Sequence, residues 1–377
     1  MSAPASQVIA YDVYRVRIPL VTPYHLSKVY GTLTHSDVLI LRIETSTGLV
    51  GWGEADPGGI RFTGDTPEST MQEVHRGVFQ PILGQELNNW KGPQSPLPTG
   101  GSLAAACDVA MHDALGHYHQ KPVWELLGTR HHQKLELLWP TSSGTASDDL
   151  AVIQPKLSEG FRTFMLKMGD KPILEELNRL KQVFAALPED AHLMTDANQG
   201  WTREEAKEFF QNVQDLPLVL VEQPLVADDL EGLNDLRQYG VPISVDESLQ
   251  NPENAREIIA KGAADIFSIK ISKNGGLLRG LEIGKAVEAD NKRVMMNSMI
   301  ELGITQSASL HLGTVLPNLV PFGHAYMSTL RMSDDVTDFS DWIQSGTVRL
   351  PEAPGLGVKV SEEKIQQYLE DEYHASL

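Results

Sequence analysis

Polar and apolar residues alternate along three early stretches, YDVYRVRIPL (11–20), SDVLILRIET (36–45) and GLVGWGEA (48–55). A period of two marks strands with one buried face, and the STG between the last two stretches marks a tight turn. From about Thr66 the period lengthens. STMQEVHRGVFQPILG (69–84) and SLAAACDVAMHDALGHYHQ (102–120) repeat their apolar positions at three and four residues, as a helix face does. KPVWELLG (121–128) predicts a short closing helix before the charged linker RHHQK. Residues 1–130 are therefore expected to form an α+β module.

Beyond the linker come short β-like runs: LELLWPTSSG, RTFMLKM, HLMTDAN, PLVLVEQPL, PISVDES, DIFSIKI and RVMMNSM, with VPFGHAY (320–326) as an eighth. Amphipathic stretches such as 173–187 and 203–216 lie between most of them. Strands alternating with helices predict a parallel sheet, and eight units suit a TIM-type barrel over residues 131–345. An open doubly wound sheet fits the same alternation. Residues 346–377 read as a strand, a Pro/Gly loop and a final helix returning to the first module. The expected fold is α/β, a (β/α)7β barrel with an N-terminal α+β capping domain completed by the C-terminal tail.

Composition narrows the function. The 377 residues are 41% hydrophobic and 21% charged, as in a globular protein with a substantial core. A net charge of -19 disfavours nucleic acid and anionic membranes as partners. The single cysteine, Cys107, allows no intrachain disulfide and suits a reducing compartment. The N-terminal stretch lacks a basic segment followed by an apolar run, so no signal peptide is expected, and the expected location is cytoplasmic. No HExxH, CxxC, P-loop or GxSxG is present, which leaves zinc protease, phosphotransferase and serine hydrolase readings unsupported.

The chemistry is concentrated at the ends of the barrel strands. Lys167, Asp196, Glu222, Asp246 and Lys270 each end a predicted strand, about one strand–helix unit apart. Residues at strand C-termini of such a barrel converge on one mouth. Side chains two apart share a face, so Ser268 and Lys270 point into that mouth while Phe267, Ile269 and Ile271 point toward the helices. Asp196, Glu222 and Asp246 offer the oxygen-only donors that Mg²⁺ or another hard divalent ion takes. Without a cation they would repel one another. Lys167 and Lys270 flank them, and a lysine beside a cation in a desolvated pocket would titrate low enough to act as a base.

At these residues the sequence resembles the enolase superfamily, in particular the mandelate racemase/muconate lactonizing enzyme family. The motifs are DANQGW (196–201), VEQP (221–224), VDES (245–248), IKISKNGG (269–276) and SMIELGI (298–304), and the resemblance spans essentially the whole chain. It implies Mg²⁺, with Mn²⁺ as a substitute, bound by Asp196, Glu222 and Asp246. It also implies a small-molecule carboxylate substrate on that ion, Lys167 and Lys270 as acid and base, and a homo-oligomer. Lysines on both sides match the muconate lactonizing subgroup, which includes dipeptide epimerases and succinylbenzoate synthases. The mandelate racemase subgroup would carry a His–Asp dyad where this chain has Lys270 and Asn297. Glu301 matches the acidic residue after the seventh strand. Glu301, Asn198, Met165, His25, Tyr24 and Asn297 are expected to contact substrate, and the loops around Tyr24–Lys28 and 56–63 to close over the mouth. One departure stands out: the subgroup has Lys-x-Lys on the second strand, and here Met165 replaces the first lysine.

The resemblance implies a metal-stabilised enediolate formed by loss of the proton α to the carboxylate. The expected reaction is isomerisation, either cycloisomerisation or racemisation/epimerisation. The alternatives are syn β-elimination by a dehydratase and a non-catalytic barrel that binds a carboxylate.

Overall fold

The computed structural model describes residues 5–94, 96–349 and 351–377; Leu350, inside the predicted tail strand, and the first four residues of the N-terminal stretch lie outside them. The capping domain begins with an antiparallel meander, β1 (Val8–His25), β2 (Thr32–Thr45) and β3 (Val50–Ala55). Helix α1 (Pro67–His75) starts at a capping box in which Thr66 and Ser69 satisfy each other's backbone N–H groups. Helix α2 (Gly101–His119) follows, then α3 (Val123–Leu127).

Helix α2 is buried along most of its length because it lies between the cap sheet and the barrel. Gly51 and Gly53 of β3 face its small residues, and a Cβ on either would run into the carbonyls of Ala110 and Ala106. The Gly-Trp-Gly of β3 is thus a helix–sheet packing device. Two α2 carboxylates fasten the neighbouring parts. Asp113 accepts from Trp52 N at 2.9 Å and Leu356 N at 2.7 Å, and Asp108 from Leu278 N at 3.0 Å.

The second domain alternates strands and helices: β4 (Lys134–Glu136), β5 (Leu138–Pro140), α4 (Ala146–Ser158), β6 (Thr163–Lys167), α5 (Ile173–Ala186), β7 (His192–Asp196), α6 (Arg203–Val213) and β8 (Leu218–Glu222). It continues through α7 (Leu230–Leu236), β9 (Ile243–Val245), α8 (Pro252–Ala260), β10 (Ile266–Ile269), α9 (Ile271–Asn274), α10 (Leu277–Ala289), β11 (Arg293–Met296) and α11 (Gly303–Val315). Strands β5 to β11 form one parallel sheet in chain order, as predicted. The doubly wound alternative is excluded, since that fold reverses its strand order.

The eighth position differs from expectation. Residues 319–325 form no regular strand, yet they close the barrel through a Val294–Leu319 bridge on one side and a Leu137–His324 bridge on the other. Pro321 has no N–H to give, and Gly323 lies so close to Leu137 that no Cβ would fit, so the segment makes isolated bonds only.

The tail also departs from its prediction. Strand β12 (Ile343–Gln344) pairs with β13 (Thr347–Arg349), which pairs with β4. The expected last helix is only α12 (Glu362–Gln367), and a strand follows, β14 (Leu369–Ser376). It pairs antiparallel with Ala10–Val16 of β1, giving the cap sheet the order β14-β1-β2-β3. No helix among the described residues is long and apolar enough to cross a membrane.

Candidate active site

Strand register places the ionisable residues at one height. Lys167 pairs with Asp196, and Asp196 with Glu222, across β6, β7 and β8. Asp246 and Lys270 immediately follow β9 and β10. All five side chains are buried.

Their contacts form a row. Lys167 Nζ donates to Asp196 Oδ2. Glu222 takes Asn297 Nδ2 at 2.8 Å on one oxygen and Ser268 Oγ at 3.3 Å on the other. Asp246 meets a lysine on each oxygen: Lys270 Nζ lies 2.6 Å from Oδ2 and Lys273 Nζ 2.5 Å from Oδ1. Asn198 donates its backbone N–H to Asp196 at 2.8 Å and its amide to the same carboxylate at 2.9 Å. Its φ is +41°, and Gln199 and Gln223 are positive as well, so strained backbone is concentrated where β7 and β8 end. Gln223 Oε1 accepts from Asp246 N at 3.0 Å and Ser248 N at 3.1 Å, clamping the end of β8 to the turn after β9.

Charge follows from burial and these pairings. Burial works against an ionised Asp246, but Lys270 and Lys273 outweigh it and hold the carboxyl at about 2. Glu222 goes the other way: burial, then the charges of Asp196 and Asp246, raise it well above the usual carboxylate range. Burial opposes the charge of both lysines, but the neighbouring carboxylates favour it, Asp196 raising Lys167 and Asp246 raising Lys270. Lys273 is lowered by burial and by the nearby Lys270 charge.

Above the row lies a cavity of about 350 Å³ between barrel and cap. Lys167, Lys270, Met165, Asn198, Asn297 and Tyr24 all line it. His25 does not: its ring is exposed and bonds Thr32 Oγ1 at 2.8 Å, because successive strand residues point to opposite sides. Glu301 lies outside the cavity wall, buried, with Ser298 Oγ at 2.5 Å and Gln306 Nε2 at 3.3 Å. Sequence reasoning missed Lys273 and Gln223; the cap residue Phe62, in the loop 56–63 expected over the mouth, has its ring centroid 4.6 Å from Lys270 Nζ. The i, i+3 spacing of Lys270 and Lys273 was the available signal for the first.

Asp196, Glu222 and Asp246 fit a hard divalent cation in donor chemistry. All are oxygen donors, and their mutual repulsion shows in Glu222. Three buried oxygens around them, Asn198 Oδ1, Glu247 Oε2 and Asp246 Oδ2, have no hydrogen-bond partner, the last being an ion pair without hydrogen-bond alignment. Asp196 and Asp246 turn to lysines, and no three His, Cys, Asp or Glu side chains among the described residues close into a ready-made shell.

Fold and site together define an enolase-superfamily enzyme. Residues 150–364 match the enolase C-terminal domain-like family, and residues 9–128 match the mandelate racemase/muconate lactonizing enzyme N-terminal domain. The chain belongs to the mandelate racemase/muconate lactonizing enzyme family, among its isomerases. It is 29% identical to the L-Ala-D/L-Glu epimerase of Bacillus subtilis over 93% of this chain and 96% of that one. It is also 29% identical to muconate cycloisomerase 1 of Acinetobacter baylyi, with the same coverage. Among solved structures, the muconate lactonizing enzyme of Pseudomonas fluorescens in complex with muconolactone superposes with a TM-score of 0.90 at 27% identity, over 97% of this chain and all of that one. The N-succinyl Arg/Lys racemase of Bacillus cereus gives 0.91 at 24% identity, over 98% of this chain and all of that one, a likeness of fold alone.

Proposed function

We propose that the chain is a Mg²⁺-dependent isomerase that removes the proton α to a substrate carboxylate and returns it in a new position or on the other face. The observation that carries this reading is the placement of Lys167 and Lys270 over the carboxylate row. Lys167 ends strand β6 and Lys270 follows β10, four positions apart in an eight-position barrel and so on opposite walls. Mg²⁺ held by Asp196, Glu222 and Asp246 would supply Lewis-acid stabilisation of the charge that develops as the α proton leaves.

The side chains do the rest. One lysine, neutral, accepts the α proton on its Nζ. The other, as ammonium, donates a proton to the opposite face, which inverts the centre. Asp196 and Asp246 hold each lysine in place and set how readily it gives up its charge. Asn297 and Ser268 keep Glu222 oriented, and the cap covers the mouth and limits water.

The test is α-proton exchange in D₂O with Mg²⁺, read by NMR on a panel of acid sugars, N-acyl amino acids and dipeptides. Lys167→Ala and Lys270→Ala should each lower turnover by about 10²-fold or more while retaining fold. Unchanged turnover in either variant overturns the two-lysine reading.

A further inference from the structure

Away from its two lysines the cavity wall changes character. Leu26 and Leu33 come from the cap, Leu138 from β5, and Met299, Ile300 and Met327 from barrel loops. No aspartate or glutamate is among the described residues that line it. The third cation, Arg61, is exposed and already donates Nη1 to Val29 O at 2.7 Å. The aromatic faces that could cradle an ammonium are engaged. Arg331 Cζ sits 3.8 Å from the Tyr24 ring, and Lys270 Nζ 4.6 Å from the Phe62 ring. Tyr30 packs against Phe62 at 5.6 Å and takes Gln199 Nε2 on its hydroxyl at 2.7 Å.

From this wall we infer that the substrate is a monocarboxylate whose arm beyond the reacting centre is uncharged and apolar. The inference rests on the proposed reading of the lysine end as the carboxylate end. An ammonium on the arm would lose its hydration and meet no carboxylate on the wall, and a second carboxylate would meet only Arg61, an exposed guanidinium screened by water, whose pairing would return less than the lost hydration. A methylene there is removed from water against leucine and methionine side chains.

Calorimetric titration of the protein with Mg²⁺ tests this with three six-carbon ligands: hexanoate, adipate and 6-aminohexanoate. Hexanoate should bind at least tenfold more tightly than either of the others. Along butanoate, pentanoate and hexanoate, affinity should rise by about fourfold per methylene. Leu33→Arg, on the partly exposed cap side of the wall, should move the preference toward adipate by tenfold or more. Equal affinities, a preference for adipate or 6-aminohexanoate in the wild type, or no binding of any of the three overturns the proposal. So does an unchanged preference in folded Leu33→Arg. Binding requires no turnover, so apolar preference without α-proton exchange would overturn the proton-abstraction reading and leave this one standing.

Discussion

Lys273 Nζ stands 2.5 Å from Asp246 Oδ1, and neither side chain is exposed to solvent. Lys273 also donates to the backbone carbonyl of Asp246, so one ammonium fixes both ends of that residue. Removing one partner of a buried ion pair leaves the other uncompensated. Lys273→Met should lower stability by about 3 kcal/mol, as read by urea unfolding. A loss below about 1 kcal/mol would mean that Lys270 alone neutralises Asp246.

Asp246→Asn removes one anionic oxygen from the donor set proposed for the cation. Mg²⁺ affinity should fall by roughly tenfold or more in a calorimetric titration. An isotherm that matches the wild type would take Asp246 out of the set.

Met165 lines the cavity beside Lys167, two residues along the same strand face. A lysine there would place a like charge next to Lys167 and disfavour its ammonium form. In Met165→Lys, the rise of kcat/KM with pH should shift to lower pH by about one unit. A profile that stays or shifts upward would show that Lys167 is not the titrating base.

His311 and His324 are buried, and burial lowers both from 6.5 to about 3. His311 accepts Trp124 N at 3.0 Å on Nδ1 and lies 3.1 Å from Leu356 O through Nε2, which fixes a neutral ring. The unfolded chain therefore binds more protons than the folded one between these values. Stability from these rings is present above about pH 6.5 and is lost as pH falls toward 3. At pH 5 the loss should reach about 2 kcal/mol per histidine. The double variant His311→Gln/His324→Gln should show a smaller drop between pH 7 and pH 5 in urea unfolding; an equal drop would refute the assignment.

Gly53→Ala should cost about 3 kcal/mol, since its Cβ would meet the Ala106 carbonyl of α2. Gly100→Ala has open space around it and extended backbone, and should stay within about 0.5 kcal/mol of wild type. Similar unfolding midpoints for the two would refute close packing of α2 on β3.

The barrel was legible because its buried strands are short apolar runs broken by amphipathic helices. Lys167, Asp196, Glu222, Asp246 and Lys270 interrupt those runs at their ends, and nothing in an apolar core would put them there. Tyr24 and His25 were read together although neighbours on a strand face opposite ways, and only Tyr24 reached the cavity. Lys273 was hidden because the chain turns from strand into a short helix at Ile271, which swings it back under Asp246. Strand β14 was hidden for another reason. Its residues alternate between exposed and half-exposed, and its only strand partner among the described residues is the distant β1. Local pattern carries no record of such a partner, so YLE continued the helical reading of SEEKIQQ.

The pairing of β14 with β1 also sets an order of events during synthesis. The ribosome delivers β14 only after the entire barrel has emerged, about half a minute after β1 at ~10 residues per second. Until then the backbone of Ala10–Val16 has an unpaired edge, the kind of edge to which other chains add. Strand β14 therefore acts as a closing clasp, and the nascent cap stays aggregation-prone until that strand has been made.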